Sequence, residues 1–199
     1  MIIGLTGGSG CGKSLASQFF EEKGFVIIDF DALSREVTSG GSECLDEIRK
    51  EFGDDVIAPD GTLMRRKLGD IVFSDQKKLS TLNSITHKYI LAEANKLVEE
   101  NKYKNIIFDA PLLFEAGLHD KCDYTIAICA EKDVRINRIA NRDNISTESA
   151  KKRIESQKDD SFYIEKSNFS VRNDKDDKNL FYNKLSTVLR SIIDESSSK

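Results

Sequence analysis

Short, continuously apolar runs alternate along this chain with longer stretches whose apolar residues recur every three or four positions. Residues 2–6 form the first apolar run and predict a strand. From Lys13 to Lys23, Leu15, Ala16, Phe19 and Phe20 fall at i, i+1, i+4 and i+5, one buried helix face, and Gly24 closes it. Phe25-Val26-Ile27-Ile28 is a second apolar run, as expected of a strand covered on both faces. The first thirty residues therefore predict a βαβ unit. From Ala32 to about Lys104 the periodicity is helical, broken by turns at Gly40-Gly41 and at Ala58-Pro59-Asp60-Gly61. Ser42 is the expected N-cap of a helix reaching Phe52, and Asp75 or Ser74 starts a long one that runs towards Asn101. Ile106-Ile107-Phe108-Asp109 predicts a third strand, Tyr124–Cys129 a fourth and Phe169-Ser170-Val171 a short fifth. Leu180 to Ile193 reads as a closing amphipathic helix with Leu180, Leu185, Val188, Leu189 and Ile192 on its apolar side. The tail, residues 196–199, is expected to be disordered.

Between the first strand and the first helix lies Gly7-Gly8-Ser9-Gly10-Cys11-Gly12-Lys13-Ser14. It satisfies G-x-x-x-x-G-K-[ST], in the strand-to-helix context that gives this pattern its meaning. Glycines let successive backbone N–H groups turn inward, making an anion nest at a helix N-terminus. Lys13 is placed to put a positive charge on the β- and γ-phosphates, and the Ser14 hydroxyl to ligate a phosphate-bound Mg²⁺. The loop predicts a nucleoside triphosphate site.

That loop turns the pattern of elements into a fold expectation: an α/β P-loop NTPase fold of three layers around a five-stranded parallel sheet. About seventy helical residues between the second and third strands exceed a simple crossover. They predict a helical acceptor-binding insertion over the carboxyl ends of the strands, where open α/β sheets bind ligands. The expected division is a nucleotide-binding core of residues 1–31, 105–137 and 167–195, an acceptor domain of residues 32–104, and a lid of residues 138–166.

Composition narrows the partners. A length of 199 residues suits one domain, and 39% hydrophobic with 32% charged residues is an ordinary soluble balance. A net charge of -4 argues against bulk nucleic-acid binding. No apolar run nears membrane-spanning length, and the immediate entry into a strand leaves no room for a signal peptide, so a cytoplasmic location is expected. Nothing in the sequence sets an oligomeric state. Cys11, Cys44, Cys122 and Cys129 lack metal-ligand spacing and read as free thiols. Cys11 is a small loop residue or, since a helix N-terminus lowers thiol pKa, a reactive one.

Asp29 and Asp31 sit two apart at the end of the second strand and so are expected on one side of the sheet. A carboxylate there can take a proton from a phosphate acceptor or hold Mg²⁺ through water; equally, Asp31, just before Ala32-Leu33-Ser34-Arg35, can be the N-cap of the following helix. Arg35 follows Asp31 by one helical turn, as a clamp for a substrate anion or as its partner. Asp109 ends the third strand, where such folds place an acidic residue near Mg²⁺, although a turn residue before Pro111 would look the same. The stretch from Glu131 to Lys158 holds 8 Lys/Arg against 5 Asp/Glu. Within it Arg138 and Arg142 share a helix face and, with Arg153, suit a lid that neutralises a transferring phosphoryl group; Arg135 reads as part of a solvated face. His87, within a helical pattern, reads as a surface or an internally satisfied histidine.

Beyond these residues the chain resembles the dephospho-coenzyme A kinase family. Leu5-Thr6-Gly7-Gly8-x-Gly10-x-Gly12-Lys13-Ser14 is similar to its phosphate loop, and Ile28-Asp29-x-Asp31-x-x-x-Arg35-Glu36-Val37 to its Asp-x-Asp segment. Asp60-Gly61-x-Leu63-x-Arg65-x-x-Leu68, Val72-Phe73, Leu82-Asn83-x-Ile85-x-His87 and Pro111-Leu112-Leu113-Phe114-Glu115 resemble further motifs. So do the stretch from Arg138 through Arg142-Asp143 to Gln157, and Asn173 after the last strand. The resemblance implies transfer of the ATP γ-phosphate to the ribose 3′-hydroxyl of dephospho-CoA, with Asp31 as general base and Lys13 and Arg138 assisting. It implies that Gly8, Ser9, Gly10, Cys11, Gly12, Lys13, Ser14, Leu15, Arg138, Arg142 and Asn173 contact ATP. Arg35, Arg65, His87, Leu112, Leu113 and Glu115 would line the acceptor site with Asp31. Mg²⁺ would sit on Ser14, with Asp29 or Asp109 through water. The chain departs from the family at Phe30, Leu15, Lys88 and Met64, and keeps only part of the motif over residues 167–173. An acidic pair beside such a loop would also serve a nucleotide or shikimate kinase. A GTPase switch would need Asn-Lys-x-Asp after a strand, and Asn141-Arg142-Asp143 lies in a helical stretch instead.

Overall fold

The computed structural model describes residues 1–197. Five strands, β1 (Ile2–Thr6), β2 (Val26–Asp29), β3 (Ile106–Asp109), β4 (Tyr124–Cys129) and β5 (Phe169–Arg172), form one sheet in the order β2-β3-β1-β4-β5. β1 pairs in parallel with β3 and β4, with Leu5 opposite Asp109 and Ile126, and β4 pairs in parallel with β5. β1 lies centrally because Ile3 and Leu5 are completely buried, as are Ile126 and Ile128 of its neighbour β4.

The chain falls into two compact units. The first joins Met1–Ile27 to the chain from Tyr103 onward, and the second is Ile28–Lys102, so the boundary falls within β2. In the first unit, α1 (Lys13–Glu22) and α9 (Lys178–Ser197) bury Phe19, Phe20, Phe181 and Leu185 against the sheet's apolar side chains. Phe19 meets Phe20 and Tyr182 edge-on at 5.1 Å, an arrangement favoured by the ring quadrupoles. α6 (Lys132–Asp143), α7 (Thr147–Glu155) and α8 (Asp160–Lys166) carry the basic stretch, with their own small core of Ile139, Ala150 and Ile154. α9 extends through Ser196 and Ser197, so half of the tail expected to be disordered is helical; Ser198 and Lys199 lie outside the described residues.

The second unit is helical: α2 (Phe30–Val37), α3 (Glu43–Phe52), α4 (Arg65–Val72) and α5 (Gln76–Glu100). Ser42 and Asp75 cap α3 and α5 as expected, each side chain accepting from backbone N–H groups of the first turn. Cys44, Ile48, Val56, Leu68, Val72 and Ile85 form its core.

Candidate active site

The phosphate loop leaves β1 and enters α1 through Gly12, whose φ of 100° belongs to the left-handed region that suits glycine. A Cβ there would also run into the Nδ2 of buried Asn173, which donates to the Cys11 carbonyl at 3.0 Å. Asn173, placed by resemblance beside ATP, thus supports the loop directly. At the foot of the loop Lys13 Nζ pairs with Asp109 Oδ1, while Ser17 Oγ donates to Asp109 Oδ2 at 2.6 Å. Asp109 is buried, and both of its oxygens hold partners on one face of α1. Ser17 escaped the sequence reading; its i+4 spacing from Lys13 was the available signal. Ser14 is exposed in the first turn of α1.

The basic helices hold a larger correction. Arg135, read as solvated, is only 4% exposed. Its Nε donates to the Ser9 carbonyl at 2.9 Å, its Nη1 pairs with Asp160 at 2.9 Å, and its Nη2 donates to Gln157 Oε1 at 3.2 Å. It lies one turn from buried Ile139 on the inward face of α6, where the pattern alone takes a charge for a solvent position. Burial pushes the Asp160 carboxyl up, against the pull of Arg135.

Arg138 joins the loop to the segment after β5. Its guanidinium reaches the carbonyls of Gly10 (3.4 Å), Asn173 (2.8 Å) and Lys175 (3.4 Å), and Asp176 Oδ1 at 2.8 and 3.1 Å. It borders a cavity of about 290 Å³ together with Gly12, Leu15, Asn173, Asp176 and Lys178. Arg142, which shares its helix face, turns elsewhere. It grips Asp143 at 2.7 and 3.0 Å, and Arg153 pairs with the same carboxylate. Arg142 and then Arg153 hold the Asp143 carboxyl down at about 2. Cys11 is buried at the loop's centre, and burial pushes its thiol up to about 11, outweighing the Lys13 backbone and the Arg135 and Lys13 charges. The reactive-thiol reading of Cys11 is therefore corrected: desolvation wins over the helix N-terminus.

After β3, Leu112 is 60% exposed and Glu115 is exposed, whereas Leu113 is fully buried and packs over Gly4. Leu113, expected to line the acceptor with its neighbours, is a core residue in this turn.

In the second unit, Asp29 ends β2 and caps α2, its Oδ1 accepting from the N–H groups of Asp31 (2.8 Å) and Ala32 (3.0 Å). The expected strand alternation of the two aspartates does not hold, because α2 starts at Phe30. The cap is Asp29; Asp31 stands exposed in the first helical turn, its carboxylate without a capping role. Arg65 Nη2 donates to Thr38 Oγ1 at 2.6 Å and lies 3.5 Å from the Arg35 backbone carbonyl, so the Arg65 side chain packs on the end of α2. His87 is exposed on α5, beside Thr86. Thr38, Arg65, Leu68, Leu82, Asn83 and Thr86 border a cavity of about 280 Å³. The departures from the family pattern have local consequences. Met64 leaves the N-cap of α4 without a side-chain bond, and Lys88 pairs with Glu47 at 3.1 Å and covers the Tyr89 ring. Phe30 is buried.

A glycine loop between a central parallel strand and a helix, with its lysine on an aspartate at the end of the adjacent strand, defines a P-loop phosphotransferase. The comparisons with known proteins specify which. The model of the family described as dephospho-CoA kinase matches residues 1–179. A dephospho-CoA kinase from Fusobacterium nucleatum is 38% identical over 181 residues, covering 91% of this chain and 93% of its own. Among solved structures, a dephospho-CoA kinase from Campylobacter jejuni aligns with a TM-score of 0.69 at 26% identity over 96% of each chain. A Thermus thermophilus protein aligns with a TM-score of 0.83 at 24% identity, over 98% of this chain and 97% of its own, a likeness of fold. The chain belongs to the dephospho-CoA kinase family, and ATP-dependent phosphorylation of dephospho-CoA, in coenzyme A biosynthesis, is the activity that membership carries. Among the described residues no helix is long and apolar enough to cross a membrane.

Proposed function

We propose that the chain moves the γ-phosphoryl of ATP onto the ribose 3′-hydroxyl of dephospho-CoA, with the phosphate loop as donor site and the helical second unit as acceptor site. The observation that carries the reading is the Lys13–Asp109–Ser17 cluster at the foot of a complete phosphate loop. The N–H groups of Gly10, Gly12, Lys13 and Ser14 and the Lys13 ammonium hold the triphosphate, and the cavity beside Leu15, Arg138 and Asn173 takes its nucleoside. Arg138 reaches a phosphoryl oxygen by exchanging Asp176, an exposed partner, for it. Gly8, Ser9, Cys11 and Gly12 shape the loop around the phosphates, and Arg142 reaches ATP by leaving Asp143.

The donor set fits Mg²⁺. Ser14 offers an exposed hydroxyl, and Asp109, its oxygens held by Lys13 and Ser17, would act through water, both being hard oxygen donors. When bound the ion supplies positive charge to the β- and γ-phosphate oxygens.

On the acceptor side Arg35 and Arg65 bind the pyrophosphate of dephospho-CoA, His87, Leu112 and Glu115 orient it, and the 280 Å³ cavity takes its apolar arm. Asp31 accepts the 3′-hydroxyl proton as that oxygen bonds to the γ-phosphorus and the ADP oxygen leaves with the other electron pair. Its carboxylate contributes about 10²–10⁴-fold as a general base. Asp31→Asn tests this: turnover should fall by that factor with the melting temperature and ATP affinity unchanged. Near-normal turnover in a folded variant would remove Asp31 from the mechanism.

A further inference from the structure

We infer that Gln157, braced by Arg135, is a positioning residue for the phosphate loop, holding the Ser9 segment in the shape that receives the triphosphate. The inference rests on the reading that this loop binds ATP.

Gly7, Gly10 and Gly12 all have positive φ, and a loop so rich in glycine has conformational freedom to lose on each binding event. Ser9 is the one residue of the Gly7–Gly10 segment with a side chain that can be tethered. All three of its polar groups are taken by two side chains from α6 and the turn after α7. Its N–H donates to Gln157 Oε1 at 3.0 Å, its Oγ accepts from Gln157 Nε2 at 2.7 Å, and its carbonyl accepts from Arg135 Nε. The amide of Gln157 is fixed in orientation, because Oε1 receives both the Ser9 N–H and Arg135 Nη2. Reversing it would set donor against donor. Arg135 is fixed in turn by its half-buried pair with Asp160. The guanidinium lies so close over Gly8 that a Cβ there would overlap Nη2, which accounts for glycine at that position by packing.

Two consequences follow. The Ser9 N–H points at an amide oxygen, so the anion nest begins at Gly10. Moreover, the α7–α8 turn acts on ATP without touching it, by setting the shape of the loop.

The test is titration of ATP by calorimetry on Gln157→Met, Ser9→Ala and the double variant, followed by steady-state kinetics. Methionine keeps the volume of glutamine and removes both of its hydrogen bonds to Ser9. ATP affinity should fall about tenfold in Gln157→Met and about threefold in Ser9→Ala. The double variant should be no worse than Gln157→Met, because the Oγ–Nε2 bond is common to both changes. KM for dephospho-CoA should stay within about twofold throughout. ATP affinity unchanged in Gln157→Met, independent losses that multiply in the double variant, or an equal rise in both KM values would overturn the inference. Calorimetry needs no acceptor. A wild-type protein that binds ATP but leaves dephospho-CoA untouched would therefore refute the proposed function while the role of Gln157 is still decided.

Discussion

Placing one methyl group at Gly12 tests how the loop is built. Gly12→Ala meets two separate costs. The first is conformational: at φ 100° and ψ 24° an L-residue loses about 1–2 kcal/mol against its ordinary backbone regions. The second is steric. The new Cβ overlaps Asn173 Nδ2, and Asn173, buried on all sides, moves only by giving up its 3.0 Å bond to the Cys11 carbonyl. A lost hydrogen bond in such a site costs about 1–3 kcal/mol. The sum, about 2–5 kcal/mol, corresponds to roughly 5–15 °C in melting temperature for a chain of this size. Thermal unfolding followed by circular dichroism should be run on Gly12→Ala, Asn173→Ala and the double variant. Asn173→Ala alone loses only the hydrogen bond and opens space for the methyl. The double variant should therefore be more stable than the sum of the single losses by at least about 1 kcal/mol. Additive losses, or a Gly12→Ala protein that melts with the wild type, would refute the proposed packing of Asn173 beneath the loop.

Three other expectations can be checked alongside. Asp109→Asn leaves Lys13 without its charged partner and should lower turnover about 10–100-fold in an ADP-release assay at saturating substrates, the range seen when groups that orient a phosphate- or metal-binding residue are removed; wild-type turnover would exclude Asp109 from the site. Asp143 has its carboxyl lowered by Arg142 and Arg153, so its stabilising contribution is present above the ordinary carboxylate range and is lost as pH falls from about 4 to about 2. The stability gap between wild type and Asp143→Asn should close over that acid window in urea titrations, and a gap independent of pH would contradict it. Cys11, with its thiol pushed up to about 11, and Cys129, at about 12, should resist alkylation at neutral pH until the chain is unfolded; labelling of native Cys11 within seconds would reverse that assignment.

The apolar runs placed β1, β3 and β4 because a buried parallel strand is continuously apolar, whereas β5, with Ser170 and Arg172 exposed, was legible only from Phe169 and Val171. Helix starts at Ser42 and Asp75 were legible since capping is local chemistry, decided within four residues. Asp29 and Asp31 show where local reasoning divides. Asp31 reads as the cap of α2 from its local sequence, but α2 starts one residue earlier, at Phe30, which gives that duty to Asp29 and leaves Asp31 available. Leu113 and Arg135 were misread for opposite reasons. A turn of a few residues rotated a motif leucine into the core, and a charged side chain in a basic stretch was drawn inward by partners far along the chain: Ser9, Gln157 and Asp160. Long-range partners of this kind leave no periodic trace. Gln157 itself was visible only as the end of a motif, with nothing in the sequence to say that its amide would meet Ser9.

The most direct measurement combines the purified protein with ATP, Mg²⁺ and dephospho-CoA and determines the product by mass and by phosphorus NMR. The expected products are stoichiometric ADP and coenzyme A bearing a new phosphomonoester on the ribose 3′-oxygen. Shikimate and nucleoside monophosphates should be left unphosphorylated under the same conditions. ATP hydrolysis with dephospho-CoA recovered unchanged, or a phosphate placed at any other position, would contradict it.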